Sequence, residues 1–139
     1  MNKRPTWNEV WMRTALTLAE RSYDPRYKVG AVIVSEDNTQ VLSVGYNGNH
    51  AGGPNSVESS EPGQSGMIHA EINALIKLDY NNPKKKKLYL TLSPCRMCAK
   101  SIVNAGIQKV LYQEEYRDRT GLEILLAAGI NVEKYTVPS

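Results

Sequence analysis

The sequence lacks the long apolar segments that mark membrane and secreted proteins. No apolar run in its 139 residues approaches the roughly 20 residues that a membrane-spanning helix needs. The first residues, MNKRPTWNEVW, contain no apolar segment of the kind found in a secretory signal. From these absences we expect a protein that makes no contact with a membrane and resides in the cytoplasm.

Cysteine is also scarce, and charge is nearly balanced. Cys95 and Cys98 are the only cysteines, and in a reducing compartment a C-x-x-C pair is more often metal-binding or redox-active than structural. The net charge is +3, and the run from Lys84 to Lys87 supplies four positive charges, so the rest of the chain is slightly acidic. Nucleic acid is therefore an unlikely partner on composition.

Length and composition predict one globular domain over residues 1–139. Hydrophobic residues make up 41% and charged residues 22% of the chain, as in ordinary folded proteins. One stretch departs from this, residues 48–66 (GNHAGGPNSVESSEPGQSG), which is rich in Gly, Ser and Pro. Such a segment is typical of a functional or disordered loop.

Hydrophobic periodicity predicts four helices and five strands in the order α-β-β-α-β-α-β-α-β. The strands are expected at residues 29–35, 40–47, 88–92, 109–114 and 131–137, and the helices at 6–22, 66–80, 93–106 and 120–129. In the first helix, one apolar stripe is expected to face the core, formed by Trp7, Trp11, Ala15 and Leu18. Capping and stop signals mark the helix ends at Thr6 with Glu9, Thr120 with Glu123, Ser93 with Pro94, Gly106 and Gly129.

This order predicts an α/β fold, a three-layer α-β-α sandwich around a mixed five-stranded sheet. Helices separate strands three, four and five, so right-handed crossovers should make these strands parallel. The first two strands should form an antiparallel hairpin, and helices should cover both faces of the sheet.

The two cysteines lie in the first turn of the third predicted helix, so both sulfurs can point to one spot. The positive end of the helix dipole favours thiolates there. Two thiolates are half of a tetrahedral zinc site, or a redox pair. Taken alone, the C-x-x-C spacing does not decide between them.

His69 lies near the start of the second predicted helix. If strand three lies beside strand one, the starts of these two helices meet at the sheet edge where open α/β sheets place their sites. One imidazole and two thiolates are three protein ligands, which leave a fourth position open, as in catalytic zinc sites.

Glu71 lies in the same first turn as His69, where side chains project past the helix end. A carboxylate beside such a centre can take a proton from water and deliver it to a substrate. The pattern H-x-E followed by P-C-x-x-C is the zinc deaminase signature, and here it reads HAE and PCRMC. A structural His or a capping Glu is commoner when each is taken singly, but four residue types at these spacings favour the deaminase interpretation.

The chain resembles the zinc-dependent cytidine deaminase superfamily, and most closely the deoxycytidylate (dCMP) deaminases. The resemblance covers nearly the whole chain in the segments RSYDPRYKVGAVIV, GYNG, HAEINAL, LYLTLSPCRMCAKSIVNAGI, KVLYQEEY and AAGINVEKY. HAE and PCxxC are shared by the superfamily, whereas GYNG and Asn73 of HAEINA point to the dCMP deaminases. The resemblance implies a cytidine deaminase-like fold and hydrolysis of dCMP to dUMP, which supplies thymidylate synthesis.

The resemblance also implies a role for each matching position. Glu71 would be the proton shuttle, and one zinc ion per subunit would be held by His69, Cys95 and Cys98. For the substrate, Asn47 would hold the deoxyribose hydroxyl, and the backbone of Ala70 and the turn at Ser93 would bind the cytosine edge. Tyr116, or a neighbour in EEYRDR, would close over the ring.

The 5′-phosphate of dCMP needs cations or helix N-termini. Because Arg26 and Lys28 come just before strand one, they are the leading candidates, with Arg21, Arg117 and Arg119 as alternatives. The family is commonly hexameric, with activity raised by dCTP and lowered by dTTP, so effector nucleotides with Mg²⁺ are expected partners. After GYNG, however, this chain reads NHAGG where the family often has proline.

Three other functions remain open at this stage. A tRNA adenosine deaminase or another nucleic-acid editor shares HAE and PCxxC and could use the Lys84 to Lys87 run as an RNA contact. A riboflavin-pathway, nucleoside or free-base deaminase would need neither Asn47 nor a phosphate site. A non-catalytic zinc or redox module would not need Glu71.

Overall fold

The computed structural model describes residues 3–54 and 66–139. The helices are α1 (Trp7–Ala19), α2 (Ala70–Ile76), α3 (Arg96–Asn104) and α4 (Thr120–Ala127). The strands are β1 (Gly30–Ser35), β2 (Val41–Tyr46), β3 (Lys86–Leu92), β4 (Lys109–Glu114) and β5 (Asn131–Lys134). Most of the long loop predicted at 48–66 lies outside the described residues.

The five strands form one mixed sheet in the order β2-β1-β3-β4-β5. β1 pairs antiparallel with both β2 and β3, whereas β3, β4 and β5 are parallel. The predicted hairpin and the predicted parallel strands are therefore confirmed. Because β1 runs opposite to both neighbours, β2 and β3 point the same way and end at the same sheet edge.

Helices cover the two faces of the sheet unequally. Alternate residues of β1 point to opposite faces, so Val32 and Val34 pack in a cluster with α1. Ala31 and Ile33 pack on the other face, in the larger cluster to which α2, α3 and α4 all contribute. This division is the predicted three-layer sandwich, and it puts three of the four helices in one layer. No helix of the described segments is long and apolar enough to span a membrane.

The predicted core stripe of α1 is confirmed except at Trp7: Ala15 is buried, and Trp11 and Leu18 pack against the core from partly buried positions. The buried residues of the helix are Met12, Ala15 and Ala19, whereas Trp7 is 49% exposed. Trp7 stacks on Trp11, with ring centroids 5.2 Å apart. Large amphipathic rings can cover the edge of a core without entering it, so the helical spacing of Trp7 did not show that its ring lies outside the core.

The ends of α2 and α3 also differ from the prediction. After Ile76 the chain makes i to i+3 hydrogen bonds at residues 77 and 78, which tighten the last turn and bring Leu78 into the core. α2 therefore ends before Tyr80. In α3 the N-cap is Cys95, not Ser93, and Pro94 precedes the helix.

The two predicted capping boxes have different outcomes. Thr6 caps α1 by accepting the N–H of Glu9 at 3.2 Å, as predicted. In α4 the N-cap is Arg119, and the Thr120 hydroxyl donates instead to Asp118. The predicted stops are confirmed, because Gly106 and Gly129 follow their helices with φ of +82°.

α2 lies against β2 at a distance that only glycine permits. A Cβ on Gly45 would lie 2.4 Å from the carbonyl oxygen of Ala70 and 2.8 Å from the nitrogen of Ala74. The hydroxyl of Ser43, two residues earlier on the same face, donates to the Ala74 carbonyl at 2.6 Å. The sheet thereby fixes the position of the helix that carries Glu71.

We predict that Gly45→Ala lowers the free energy of unfolding by about 1–3 kcal/mol, because the methyl group would overlap immovable backbone. Urea denaturation measures this change. Gly48→Ala is the matched control for stability, since the nearest atom that its Cβ would meet among the described residues lies 3.9 Å away, in the Tyr46 ring. An equal loss in both variants would show that the close approach is not the cause.

Candidate metal centre and active site

The first turns of α2 and α3 bring three potential metal ligands together. His69, Cys95 and Cys98 each offer one ligand atom, and these atoms all lie within 4.8 Å of one another. His69 Nδ1 is 3.2 Å from Cys98 Sγ and 3.5 Å from Cys95 Sγ. The structure thus places the three residues predicted as ligands at one point.

This donor set fits zinc. One imidazole nitrogen and two sulfurs are typical zinc ligands, and with Zn–N and Zn–S bonds of about 2.0–2.3 Å, tetrahedral ligand atoms lie about 3.6 Å apart. The observed distances from His69 to the two sulfurs are close to that spacing. Three protein ligands leave one tetrahedral position for a water molecule or substrate.

The two thiols differ in acidity. The Cys98 thiol donates to the Cys95 sulfur, which lowers the pKa of Cys95 to about 4. The same hydrogen bond, together with burial, raises the pKa of Cys98 above its ordinary value. The backbone N–H of Cys98 also points to the Cys95 sulfur at 3.5 Å. A metal ion would have to displace the shared proton, because zinc ligands bind as thiolates.

Glu71 is a buried carboxyl beside this centre, with 4% of its surface exposed. Burial raises its pKa to about 7, and the nearby His69 ring only partly opposes that effect. A carboxyl with a pKa near neutrality can both accept and return a proton at physiological pH. His69 is the N-cap of α2 and Glu71 lies in its first turn, so both reach the site past the helix end.

The start of α2 also leaves backbone donors near the centre. His69 makes no side-chain capping hydrogen bond. An α-helix has no internal partner for the N–H groups of its first turn, so that of Ala70 is placed to meet an acceptor outside the helix. The role predicted for the Ala70 backbone is compatible with this geometry and stays a prediction.

Two contacts that the sequence did not reveal hold residues 93–95, the loop that leads into the cysteines. A Cβ on Gly121 would lie 2.0 Å from the Pro94 carbonyl oxygen, so glycine lets α4 abut the loop. The Ser93 hydroxyl, on a residue only 3% exposed, accepts the N–H of Tyr116 at 2.7 Å. Ser93 thus joins the cysteine loop to the segment of Tyr116, whose predicted role over the substrate ring stays a prediction.

Asn47 is buried and ties two segments of the same sheet edge. Its Oδ1 accepts the N–H of Val29 at 2.9 Å, and its Nδ2 donates to the carbonyl of Tyr27. These bonds give Asn47 a positioning role that the sequence did not reveal. Its predicted contact with a deoxyribose hydroxyl stays a prediction.

The leading phosphate candidates belong to the same short segment that Asn47 contacts. Lys28 lies between the two residues that bind Asn47, and its side chain is exposed. Arg26 is exposed too and stacks over the Tyr27 ring at 5.6 Å. The buried Asp24 carboxylate accepts the N–H of Arg26 at 2.8 Å and shapes this turn.

The alternative phosphate candidates are already engaged with neighbouring side chains. Arg21 lies 6.0 Å from the ring centroid of Tyr46, and Arg117 lies 5.9 Å from that of Tyr116. Arg119 forms an ion pair with Glu115 at 2.5 Å. Arg26 has a similar contact with the Tyr27 ring, so the preference for the segment before β1 rests on its place beside Asn47.

Comparison with known proteins gives consistent relatives. The family model described as the cytidine and deoxycytidylate deaminase zinc-binding region matches residues 5–114. ComE operon protein 2 of Bacillus subtilis is 35% identical over 139 residues, covering 95% of this chain and 72% of that protein. The deoxycytidylate deaminase of Homo sapiens is 32% identical over 145 residues, covering 93% and 79%.

A solved structure shares the fold closely. The dCMP deaminase from the cyanophage S-TIM5, in complex with dCMP and dUMP, aligns with a TM-score of 0.80 and 35% sequence identity. The alignment covers 96% of this chain and 100% of that chain. The predicted cytidine deaminase-like fold is therefore confirmed.

We predict that Cys98→Ala loses bound zinc and lowers the melting temperature together, because one of three ligands is removed and metal binding is coupled to folding. Metal analysis of the purified variant and thermal unfolding measure the two effects. Ser101→Ala, on the same helix and away from the ligand atoms, should retain zinc. A Cys98→Ala protein with full zinc content would exclude Cys98 as a ligand.

Proposed function

The chain belongs to the family of zinc-binding cytidine and deoxycytidylate deaminases, and we propose that it hydrolyses dCMP to dUMP and ammonia. The observation that carries this proposal is the buried carboxyl of Glu71 beside a centre of one imidazole and two thiols. A centre with three protein ligands and an adjacent carboxyl is an arrangement for activating water, not only for binding a metal.

Zinc, held by His69, Cys95 and Cys98, would supply a Lewis acid that makes a water molecule more acidic. Glu71 takes a proton from the water molecule while the oxygen of that water forms a bond to C4 of cytosine. Glu71 then delivers this proton to N3 of the ring. It takes the second proton from the hydroxyl now on C4 and passes it to the amino group, which leaves as ammonia while the oxygen remains on C4 as a carbonyl. An oxygen from water has then replaced the amino group, so dCMP and water give dUMP and ammonia.

The surrounding residues would orient the pyrimidine nucleotide. The backbone of Ala70 and Ser93 binds the polar edge of cytosine, and Tyr116 covers the ring. Asn47 binds the deoxyribose hydroxyl from a side chain whose position is fixed by Tyr27 and Val29.

The 5′-phosphate is assigned to Lys28 and Arg26. Both are exposed cations on the segment that Asn47 holds, so the sugar and phosphate contacts come from adjacent parts of one turn. Charge-assisted hydrogen bonds to phosphate are stronger than neutral ones. A preference for the nucleotide over the nucleoside follows.

The nucleic-acid alternative finds no support in the lysine run. Residues 84–87 lie at the start of β3, whereas the site lies beyond its C-terminal end. Lys84 binds Asp37 and Thr39, and Lys86 donates to the carbonyls of Asn82 and Lys84. These cations stabilise a local turn remote from the deaminase centre.

The non-catalytic alternative does not account for Glu71. Burial of a carboxyl away from water opposes its ionisation and destabilises the fold, and a structural zinc or redox site does not require such a group. The structure nevertheless buries Glu71 next to His69 in the first turn of α2. A role in proton transfer explains its presence.

We also propose a cytoplasmic homo-oligomer, hexameric by resemblance, with one zinc per subunit and with dCTP and dTTP, together with Mg²⁺, as effectors. Large apolar side chains exposed on the three-helix layer support association, namely Ile76, Met97 and Leu126. Light scattering after size-exclusion chromatography, with and without each nucleotide, tests this proposal, and a monomer under all conditions would contradict it.

We predict that Glu71→Gln retains zinc but lowers kcat by about 10²–10⁴-fold, the usual contribution of general acid–base catalysis. Steady-state assays and metal analysis on the same preparation measure both quantities. Glu123→Gln makes the same change at an exposed position of α4 and should leave both unaltered. Undiminished turnover in Glu71→Gln would remove Glu71 from the mechanism.

We predict that ammonia release is much faster with dCMP than with deoxycytidine or cytosine, and undetectable with adenosine-containing RNA. A coupled ammonia assay across these four substrates measures the order. A reversed order between dCMP and the RNA would overturn the proposed function in favour of nucleic-acid editing.

The same assay locates the phosphate site. Lys28→Met and Arg26→Met should raise KM for dCMP and leave that for deoxycytidine unchanged, because only the nucleotide carries the anion. Lys85→Met, at the opposite edge of the sheet, is the matched control. Equal effects on both substrates would exclude these two residues as phosphate ligands.

A further inference from the structure

Asn73 is a side chain of α2 that bonds to two backbone segments outside its helix. Its Nδ2 donates to the carbonyl oxygen of Tyr46 at 2.9 Å and to that of Ile68 at 3.4 Å. Tyr46 is the last residue of β2, and Ile68 directly precedes His69. One amide therefore links the helix, the end of a strand and the segment that leads into the metal centre.

The two carbonyls lie where regular backbone pairing ends. Gly30, the cross-strand neighbour of Tyr46, donates its N–H to the Thr91 hydroxyl. Beyond β2, Gly48 and Ile68 form an isolated antiparallel bridge with hydrogen bonds of 3.1 and 2.8 Å. Asn73 reinforces this short connection from the helix side.

The connection joins the two halves of the site. Asn47, between Tyr46 and Gly48, belongs to the proposed sugar-binding side. His69 and Glu71, which follow Ile68, belong to the metal and proton-transfer side. Among the described residues, the Asn73 amide and this bridge act beside two further contacts that hold these halves in register. The Ser43 hydroxyl donates to the Ala74 carbonyl at 2.6 Å, and the Asn47 amide nitrogen lies 3.7 Å from the Met67 sulfur.

We infer that Asn73 is a positioning residue, which fixes the first turn of α2 relative to Asn47 so that Glu71 meets a bound nucleotide correctly. This inference rests on the proposed function. Asn73 acts through backbone carbonyls and does not touch the reacting atoms. Both of its partners are acceptors, so the position requires a donor and excludes a carboxylate of the same shape.

The test uses Asn73→Asp, Asn73→Ala and the unmodified enzyme, each loaded with zinc. Aspartate has nearly the same shape as asparagine, but its carboxylate oxygens would face the carbonyl oxygens of Tyr46 and Ile68 and repel them. Alanine only removes the hydrogen-bond donor. Misplacement of a catalytic group by about 1 Å costs about 10²-fold in rate. We therefore expect kcat/KM for dCMP, per bound zinc, to fall about 100-fold in Asn73→Asp and less in Asn73→Ala.

Two controls separate positioning from general stability. Asn81→Asp makes the same substitution in the exposed turn after α2 and should behave as the unmodified enzyme. All assays are run well below the lowest melting temperature of the set. A kcat/KM within about threefold of the unmodified enzyme in Asn73→Ala and Asn73→Asp, even with lowered melting temperatures, would overturn the inference. If the aspartate variant does not fold, the alanine variant alone decides by the same criterion.

A second readout does not depend on turnover. With Co²⁺ in place of zinc, the visible absorption spectrum reports the ligand geometry of the centre. We expect an altered spectrum in Asn73→Asp and an unchanged one in Asn81→Asp. If the unmodified protein does not deaminate dCMP, the proposed function fails, and the Co²⁺ spectra then decide the role of Asn73. Identical spectra in all variants would in that case overturn it.

Discussion

The structure depends on one geometric requirement, that ligand atoms from two different helices meet within 4.8 Å. This requirement is met because β1 lies between β2 and β3 and runs antiparallel to both, so that β2 and β3 end at the same edge of the sheet. α2 and α3 follow those strands and pack in the same layer. A fully parallel sheet would need a longer crossover between β1 and β2, whereas here a short hairpin provides the arrangement.

The chemistry of the centre follows from its burial. A carboxyl, two thiols and an imidazole share a small volume in which their ionised forms are poorly solvated. Burial raises the pKa of Glu71 to about 7, and the hydrogen bond between the thiols lowers the pKa of Cys95 and raises that of Cys98. A divalent cation would favour both thiolates and would also attract the carboxylate. Metal binding, folding and the protonation of Glu71 are therefore coupled and not independent properties.

Sequence patterns predicted most of the elements and the C-x-x-C pair for physical reasons that are local. Strand alternation and helix stops at Gly106 and Gly129 depend on neighbouring residues, as does the clustering of Cys95 with Cys98 in one turn. The errors arose where tertiary contacts decide. Trp7 has the spacing of a core residue but lies beyond the edge of the core, and Pro94 precedes α3 because Cys95 is the N-cap. The contacts of Asn73 and Gly121 depend on distances between distant backbone segments, which no local pattern encodes.

The supports of the centre share a property that explains why they escaped sequence reasoning. Asn73 donates to the carbonyls of Tyr46 and Ile68, the Ser93 hydroxyl accepts a backbone N–H, and Gly121 lies against the Pro94 carbonyl. Each acts on main chain, which has no residue-specific signature in the partner segment. Main-chain anchoring also leaves the side chains at the site free to face the ligand. The candidate ligands can be recognised by their chemistry. Each supporting residue instead contributes one feature to a contact with the backbone: a hydrogen-bond donor, a hydrogen-bond acceptor or the absence of a Cβ.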